Sequence, residues 1–201
     1  MLDTGFFGMI AAVAAFGALH SWLASMTFKH FVARRCKQNF ERFYRLLYNL
    51  ISVIALLPVL ALVVILPDRT LYSIPSPWVW LTVLIQLGAL WGMAVSMGRS
   101  GTGRFLGIDQ AMGWNTHEHT DTLVVDGLYH WVRHPIYMFS LIFIWLMPVM
   151  SMNILGMNIG ITLYLYVGTM LEERKLEAAF GATYTEYKQH TPMFFPIRFR
   201  K

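Results

Sequence analysis

The sequence predicts an all-α fold, an integral membrane bundle of about five transmembrane helices with its N-terminus outside and its C-terminus cytoplasmic. Three observations carry that expectation. The 201-residue chain is 56% hydrophobic and 13% charged, about half the ~25% charge of soluble domains. That excludes disorder and a simple water-soluble α/β enzyme. The apolar residues fall in continuous runs of near-spanning length rather than alternating segments, which selects helices over a barrel. The basic residues collect on alternate connections between those runs, as the positive-inside rule requires.

The first run extends from about Gly5 to Ala24 and holds no charge. The second covers Leu46 to Leu66, the third Trp78 to Met97 and the fifth about Ile154 to Leu171. The fourth starts at Pro135, whose missing N–H suits the first position of a helix, and runs to a turn near Asn153. The loop after the first run carries Lys29, Arg34, Arg35, Lys37, Arg42 and Arg45, the next only Arg69. The third loop carries Arg99, Arg104 and Arg133, and the tail Arg174, Lys175 and Lys188 with three more at its end. These loops and the tail are therefore expected on the cytoplasmic side. Nothing at the N-terminus reads as a cleaved signal peptide, since the first apolar run lacks a basic leader. The length predicts a single membrane domain over 1–201, with three helices and a basic loop in 1–97 and a second half in 98–201.

Topology accounts for the +5 net charge, so no nucleic-acid partner is expected; membrane lipids are. Segments two to five hold no ionisable residue well inside, which argues against a transporter. Asn49, Gln86 and Asn158 read as interhelical hydrogen-bonding residues, and His20 as an interfacial one. Gly88, Gly92 and Ser96, and Gly156 and Gly160, form small-xxx-small faces for close helix packing. His117, Glu118 and His119 do not make a closed ligand set, so no metal is expected. The single cysteine, Cys36, allows no intramolecular disulfide.

Site chemistry concentrates at the ends of the last two segments. Counting from the turn near Asn153, Pro135 and Glu172 lie roughly 18 and 19 residues away, ~27 Å along either helix. Arg133, His134 and Pro135 should therefore meet Glu172 and Glu173 at one membrane face. A helix N-terminus suits a carboxylate, and Glu172 suits an ammonium group or hydroxyls. An amino-acid-like ligand fits this pair; a structural Arg–Glu clamp fits it equally.

The stretch Asp126-Gly-Leu-Tyr-His-Trp-Val-Arg-His-Pro-Ile-Tyr137 resembles the G-x-Y-x-x-x-R-H-P-x-Y signature of isoprenylcysteine carboxyl methyltransferases and related phospholipid methyltransferases. Glu172-Glu173, Phe180-Gly181, Tyr184, Tyr187, Pro192 and Pro196 continue the pattern, so the likeness covers roughly residues 121–196. It implies an integral membrane methyltransferase using S-adenosyl-L-methionine, with residues 98–201 as its cofactor-binding half. Carried over residue by residue, cofactor binding falls to Asp121, Thr122, Leu123, Val124, Tyr129, His134, Pro135, Ile136, Tyr137 and Glu172. Arg133 and Glu173 are implied supports, and no catalytic base is assigned. The carboxyl methyltransferases carry an arginine four residues before the glutamate; here Gly168 stands there. The wording of Val132–Tyr137, Leu171–Arg174 and Thr191–Pro196 is closer to bacterial methanethiol S-methyltransferases. The expected acceptor is a small thiol or lipophilic molecule. Prenylcysteine carboxyl O-methylation, phospholipid N-methylation and a non-enzymatic transporter or assembly protein are the alternatives.

Overall fold

The computed structural model describes residues 4–35, 40–99, 101–114 and 122–196. The helices are α1 (Thr4–Leu23), α2 (Met26–Ala33), α3 (Phe40–Ile65), α4 (Trp78–Arg99), α5 (Thr102–Leu106), α6 (Ile108–Met112), α7 (Pro135–Trp145), α8 (Met152–Phe180) and α9 (Ala182–His190). A 3-10 turn covers Gly127–His130, and strands β1 (Thr70–Ser73) and β2 (Val149–Ser151) form a two-stranded sheet. Among the described residues, four helices, α1, α3, α4 and α8, are long and apolar enough to cross a membrane.

The expectation of about five spans is corrected at the fourth. There α7 is only 11 residues long, roughly 16 Å at ~1.5 Å per residue, about half of a hydrocarbon core. Pro148 supplies the reason: it has no N–H, and its ring would strike the carbonyl four residues back. The chain turns after Leu146 and pairs as β2, so the reversal precedes Asn153. Conversely α8 runs nine residues past the expected end at Leu171. The stretch after Leu171 is rich in Glu, Arg, Lys, Leu and Ala, all good helix formers. Gly181, at φ +54, ends the helix where a side chain would be strained.

The chain forms two compact units. The first comprises residues 1–72, 101–120 and 150–164. Its core is Met9, Val13 and Val59, with Phe16, Met157 and Ile161 packed against it. A Cβ on Gly156 would lie 2.6 Å from the Phe6 carbonyl oxygen, and one on Gly160 3.0 Å from the Val13 Cβ. The small-residue face on α8 thus admits α1. The buried polar side chains here are uncharged. Asn153, fully buried, donates to the Val63 and Leu66 carbonyls at 3.2 and 3.1 Å, and Asn49 to the Leu106 carbonyl at 2.9 Å. His20 Nδ1 lies 2.9 Å from Ser52 Oγ, Tyr48 donates its hydroxyl to Nε2, and Ser52 donates to the Tyr48 carbonyl. His20, in the last turn of α1, is thus hydrogen-bonded within an interhelical cluster.

The second unit comprises residues 73–100, 121–149 and 165–201. In it α4 packs along α7. Gln86 donates to the Phe143 carbonyl at 3.0 Å, and a Cβ on Gly92 would lie 2.5 Å from the Phe139 ring. Ser96 is fully buried. Gly88, expected on this face, has nothing within 4 Å of its would-be Cβ, so the packed stripe is Gly92 and Ser96.

Candidate active site

Every described candidate site residue lies in the second unit. Arg133 is the hub. Its Nε and Nη2 reach Glu173 Oε1 at 2.8 and 2.7 Å. Nη1 donates to the Lys188 and Thr191 carbonyls at 3.0 and 2.7 Å. Both charged side chains are withdrawn from water, with 8% of Arg133 and 3% of Glu173 exposed. Buried charge survives only when paired and hydrogen-bonded; Arg133 meets that demand in full, while Glu173 Oε2 has no hydrogen-bond partner among the described residues and relies on charge pairing. Lys188 Nζ completes it, 3.1 Å from Glu173 Oε2 and 2.8 Å from Glu177 Oε1. These carboxylates, Glu177 foremost, push the Lys188 ammonium pKa up.

His134 sits one residue before α7 and is buried. Its Nε2 lies 3.3 Å from Glu173 Oε1 and its Nδ1 3.7 Å from Glu172 Oε2. Burial lowers the imidazole pKa below its ordinary 6.5, against the opposing pull of Glu172 and Glu173. A neutral ring results at pH 7. Tyr137, one turn into α7, stacks on that ring at 5.6 Å with planes 8° apart. It donates its hydroxyl to Glu172 Oε2 at 2.9 Å. Phe194 meets the ring edge-on at 6.2 Å. Pro135 is buried, and the His134 side chain makes no cap hydrogen bond to α7.

The C-terminal strip is tied to the motif by backbone. The Arg133 N–H donates to the Pro192 carbonyl at 2.9 Å, and the His134 N–H to the Met193 carbonyl at 3.1 Å. Tyr187 donates its hydroxyl to the Tyr129 carbonyl, and burial raises its pKa to about 12. Tyr184 is 1% exposed, and its hydroxyl has no hydrogen-bond partner among the described residues.

The structure thus brings His134, Pro135, Tyr137 and Glu172 together, with Arg133 and Glu173 behind them. Glu172 is exposed, Tyr129 and Ile136 are half-buried, and the segment before the turn leaves Thr122 exposed with Leu123 and Val124 half-buried. Asp121 lies outside the described residues, as do Cys36, His117, Glu118 and His119. Sequence reasoning passed over Lys188 and Phe194 as site residues. The only signal for Phe194 was its place in the Thr191–Pro196 stretch, and for Lys188 its spacing of 11 residues from Glu177 gave none.

Comparison with known proteins decides the family. A methanethiol S-methyltransferase from a Pseudomonas species is 31% identical over 192 residues, covering 92% of this chain and 71% of that enzyme. The chain belongs to the methanethiol S-methyltransferase family. Stronger local identity accompanies this: 44% over 71 residues with methanethiol S-methyltransferase 1 of Bradyrhizobium diazoefficiens, covering 35% of this chain and 25% of that one. The Mycobacterium tuberculosis methanethiol S-methyltransferase is 41% identical over 69 residues, 34% of this chain and 28% of its own. Those two matches span only about a quarter of each relative's length. No family model matches the chain, and no solved structure does. Membership of the methanethiol S-methyltransferase family narrows the resemblance read from the Arg133–Tyr137 motif.

Proposed function

We propose that this chain is an integral membrane S-methyltransferase that moves the methyl group of S-adenosyl-L-methionine to a small thiol, of which methanethiol is the type. The 31% identity over 192 residues to a methanethiol S-methyltransferase is the observation that carries this reading. The site residues fit the methyl donor by their chemistry. Glu172 offers a carboxylate, oriented by Tyr137, to an ammonium group. The N-terminus of α7 offers the Ile136 amide and a positive dipole end to a carboxylate. The aromatic faces of Tyr137 and Phe194 suit a sulfonium cation. Tyr129 and residues 121–124 would complete the pocket.

When bound, the donor supplies an electrophilic methyl carbon on a positively charged sulfur. The protein's own part is to hold the reactants in line and exclude water. His134, neutral and pinned between Glu172 and Glu173, fixes the start of α7. Arg133 fixes Glu173, and through the Pro192 and Met193 carbonyls the tail is fastened beside the motif. A thiol acceptor reacts as its thiolate. Gly168, where carboxyl methyltransferases carry an arginine, has nothing within 4 Å of a built Cβ, so no cation on this turn awaits a carboxylate acceptor. Basic residues on alternate loops support an outside N-terminus, a site opening to the cytoplasm and one membrane domain over the whole chain.

The decisive experiment incubates the purified chain with methyl-labelled S-adenosyl-L-methionine and a panel of methanethiol, longer alkyl thiols, a prenylcysteine and phosphatidylethanolamine. Label is expected in the volatile thioether. Label only in the prenylcysteine or the phospholipid, or none, would overturn the proposal.

A further inference from the structure

The first basic loop contains a surface that the cofactor site does not use. The chain leaves α1 at Leu23 and Ser25 caps α2, its side chain accepting the Phe28 amide at 3.2 Å. The eight residues of α2 keep aromatic rings against one another and against the end of α1. Trp22 and Phe28 lie 4.4 Å apart between ring centroids, and Phe28 and Phe31 6.4 Å apart. These rings are not withdrawn from solvent: Trp22 is 55% exposed, Met26 61% and Phe31 50%. Cations sit among them. The Arg35 guanidinium lies 4.4 Å above the Phe31 ring, Arg34 is exposed, and Lys29 projects from the middle of α2. No acidic residue occurs from Thr4 to Phe40. Among the described residues, no carboxylate pairs with Lys29, Arg34 or Arg35.

Exposed aromatic side chains interleaved with unneutralised cations, directly at the end of a spanning helix, match one environment. Rings of this kind settle at the boundary between acyl chains and headgroups, and the cations beside them are then held at phosphate depth. Positive-inside sorting explains why this loop is basic. It does not explain why the loop folds into a helix that packs three aromatic rings at the end of α1 and, among the described residues, leaves its cations without carboxylate partners.

We propose that α2 with Trp22, Arg34 and Arg35 is a docking surface for anionic phospholipid headgroups in the leaflet where α1 ends. The rings supply depth and the three cations supply selectivity for negative over zwitterionic lipid. This surface lies wholly in the first unit and does not depend on the methyltransferase reading.

The test uses the full chain purified in a neutral detergent and titrated with short-chain phosphatidylglycerol, with short-chain phosphatidylcholine and with inorganic phosphate. Phosphatidylglycerol is expected to bind at least tenfold more tightly than phosphatidylcholine, with phosphate alone not competing. Neutralising all three cations (Lys29→Gln, Arg34→Gln, Arg35→Gln) should remove most of that preference, since a basic residue near an anionic surface contributes roughly fivefold. Arg69→Gln, on another loop, should leave it intact. For the unsubstituted chain, the preference should collapse between about 0.05 and 0.5 M salt, as surface electrostatics are screened; this arm needs no variant to fold. Equal affinity for the two lipids, a preference that survives high salt or the triple substitution, or displacement by phosphate would each overturn the proposal.

Discussion

The two units handle buried polarity differently. In the first, the polar side chains between helices are an amide, an imidazole and hydroxyls: Asn153, His20, Ser52 and Tyr48 bond one another or backbone carbonyls. The second buries neutral Gln86, Ser96 and Thr169 as well, but adds an ionic set, with Arg133 and Glu173 in contact and Lys188 and His134 around them. The difference follows from where each set sits. The first is built on α1, α3 and the start of α8, inside helices long enough to span a membrane. Neutral hydrogen bonds are the polarity that such depth tolerates, and each contributes little. The second is built where α7 begins and α8 continues past its apolar stretch, so charge can be assembled there. Once desolvated, such charge is costly to leave unpaired. The second unit should therefore be brittle to single substitutions, and the first forgiving.

The sharpest way to break this contrast is Arg133→Met. It strands the Glu173 carboxylate at 3% exposure, and removing one partner of a buried pair costs about 3–5 kcal/mol. A fall in thermal midpoint of several degrees is expected, and adding Glu173→Leu should restore much of it. A double variant no more stable than Arg133→Met alone would contradict the ion-pair account.

Glu172→Gln separates binding from stability. Its side chain is 46% exposed, so the unfolding midpoint should hardly move. Donor affinity, followed by calorimetric titration with S-adenosyl-L-methionine, should drop about tenfold or more, the size of a hydrogen bond to a charged group.

Acidity probes His134, and its substitution isolates that residue's share. The folded chain holds this imidazole neutral while the unfolded chain protonates it near its ordinary 6.5. Below that pH the unfolded state binds the extra proton, so stability falls on acidification, by at most about 1.4 kcal/mol per pH unit. Above that pH this residue's contribution is complete and flat. Comparing midpoints from pH 7.5 to 5.5 for the natural chain and His134→Gln should show a shallower decline in the variant.

Two smaller substitutions sharpen the contrast from opposite sides. Tyr184→Phe removes a buried hydroxyl without a partner and should be neutral or stabilising by about 1 kcal/mol. A clear loss would show that the hydroxyl is bound after all. Ser52→Ala deletes both neutral bonds of that hydroxyl, to His20 and to the Tyr48 carbonyl, and should cost only about 1 kcal/mol at ~0.6 kcal/mol each, visible as a small shift in the denaturation midpoint.

How far these features could be read in advance depended on whether they were local in sequence. The four long helices announced themselves by uninterrupted apolar runs. The convergence of Arg133 and His134 with Glu173 followed from near-equal path lengths back to one turn. The convergence is observed although the equal-path premise fails: α7 is only 11 residues long, and β2 carries the chain onward after Pro148 stops the helix. Short helices such as α2 and α5 were read as loop, since a few residues carry no period strong enough to mark them. Lys188, Thr191 and Phe194 were invisible as partners of the motif for another reason. Thr191 and Phe194 arrive on an irregular strip held by backbone pairing, which leaves no periodic trace in side-chain chemistry, and Lys188 arrives from the short helix α9.

That strip has a consequence for how the protein is made. The Arg133 and His134 amides, and one arm of the Arg133 guanidinium, bond to the carbonyls of Pro192, Met193 and Thr191. A ribosome synthesises these partners some sixty residues after the motif they complete. Until they emerge, a nascent chain can thread its spanning helices into the bilayer while Arg133 still lacks those acceptors. The site is thus finished only after α1, α3, α4 and α8 have been made. A chain cut short before Thr191 would insert normally yet carry a half-solvated arginine where its binding centre should be.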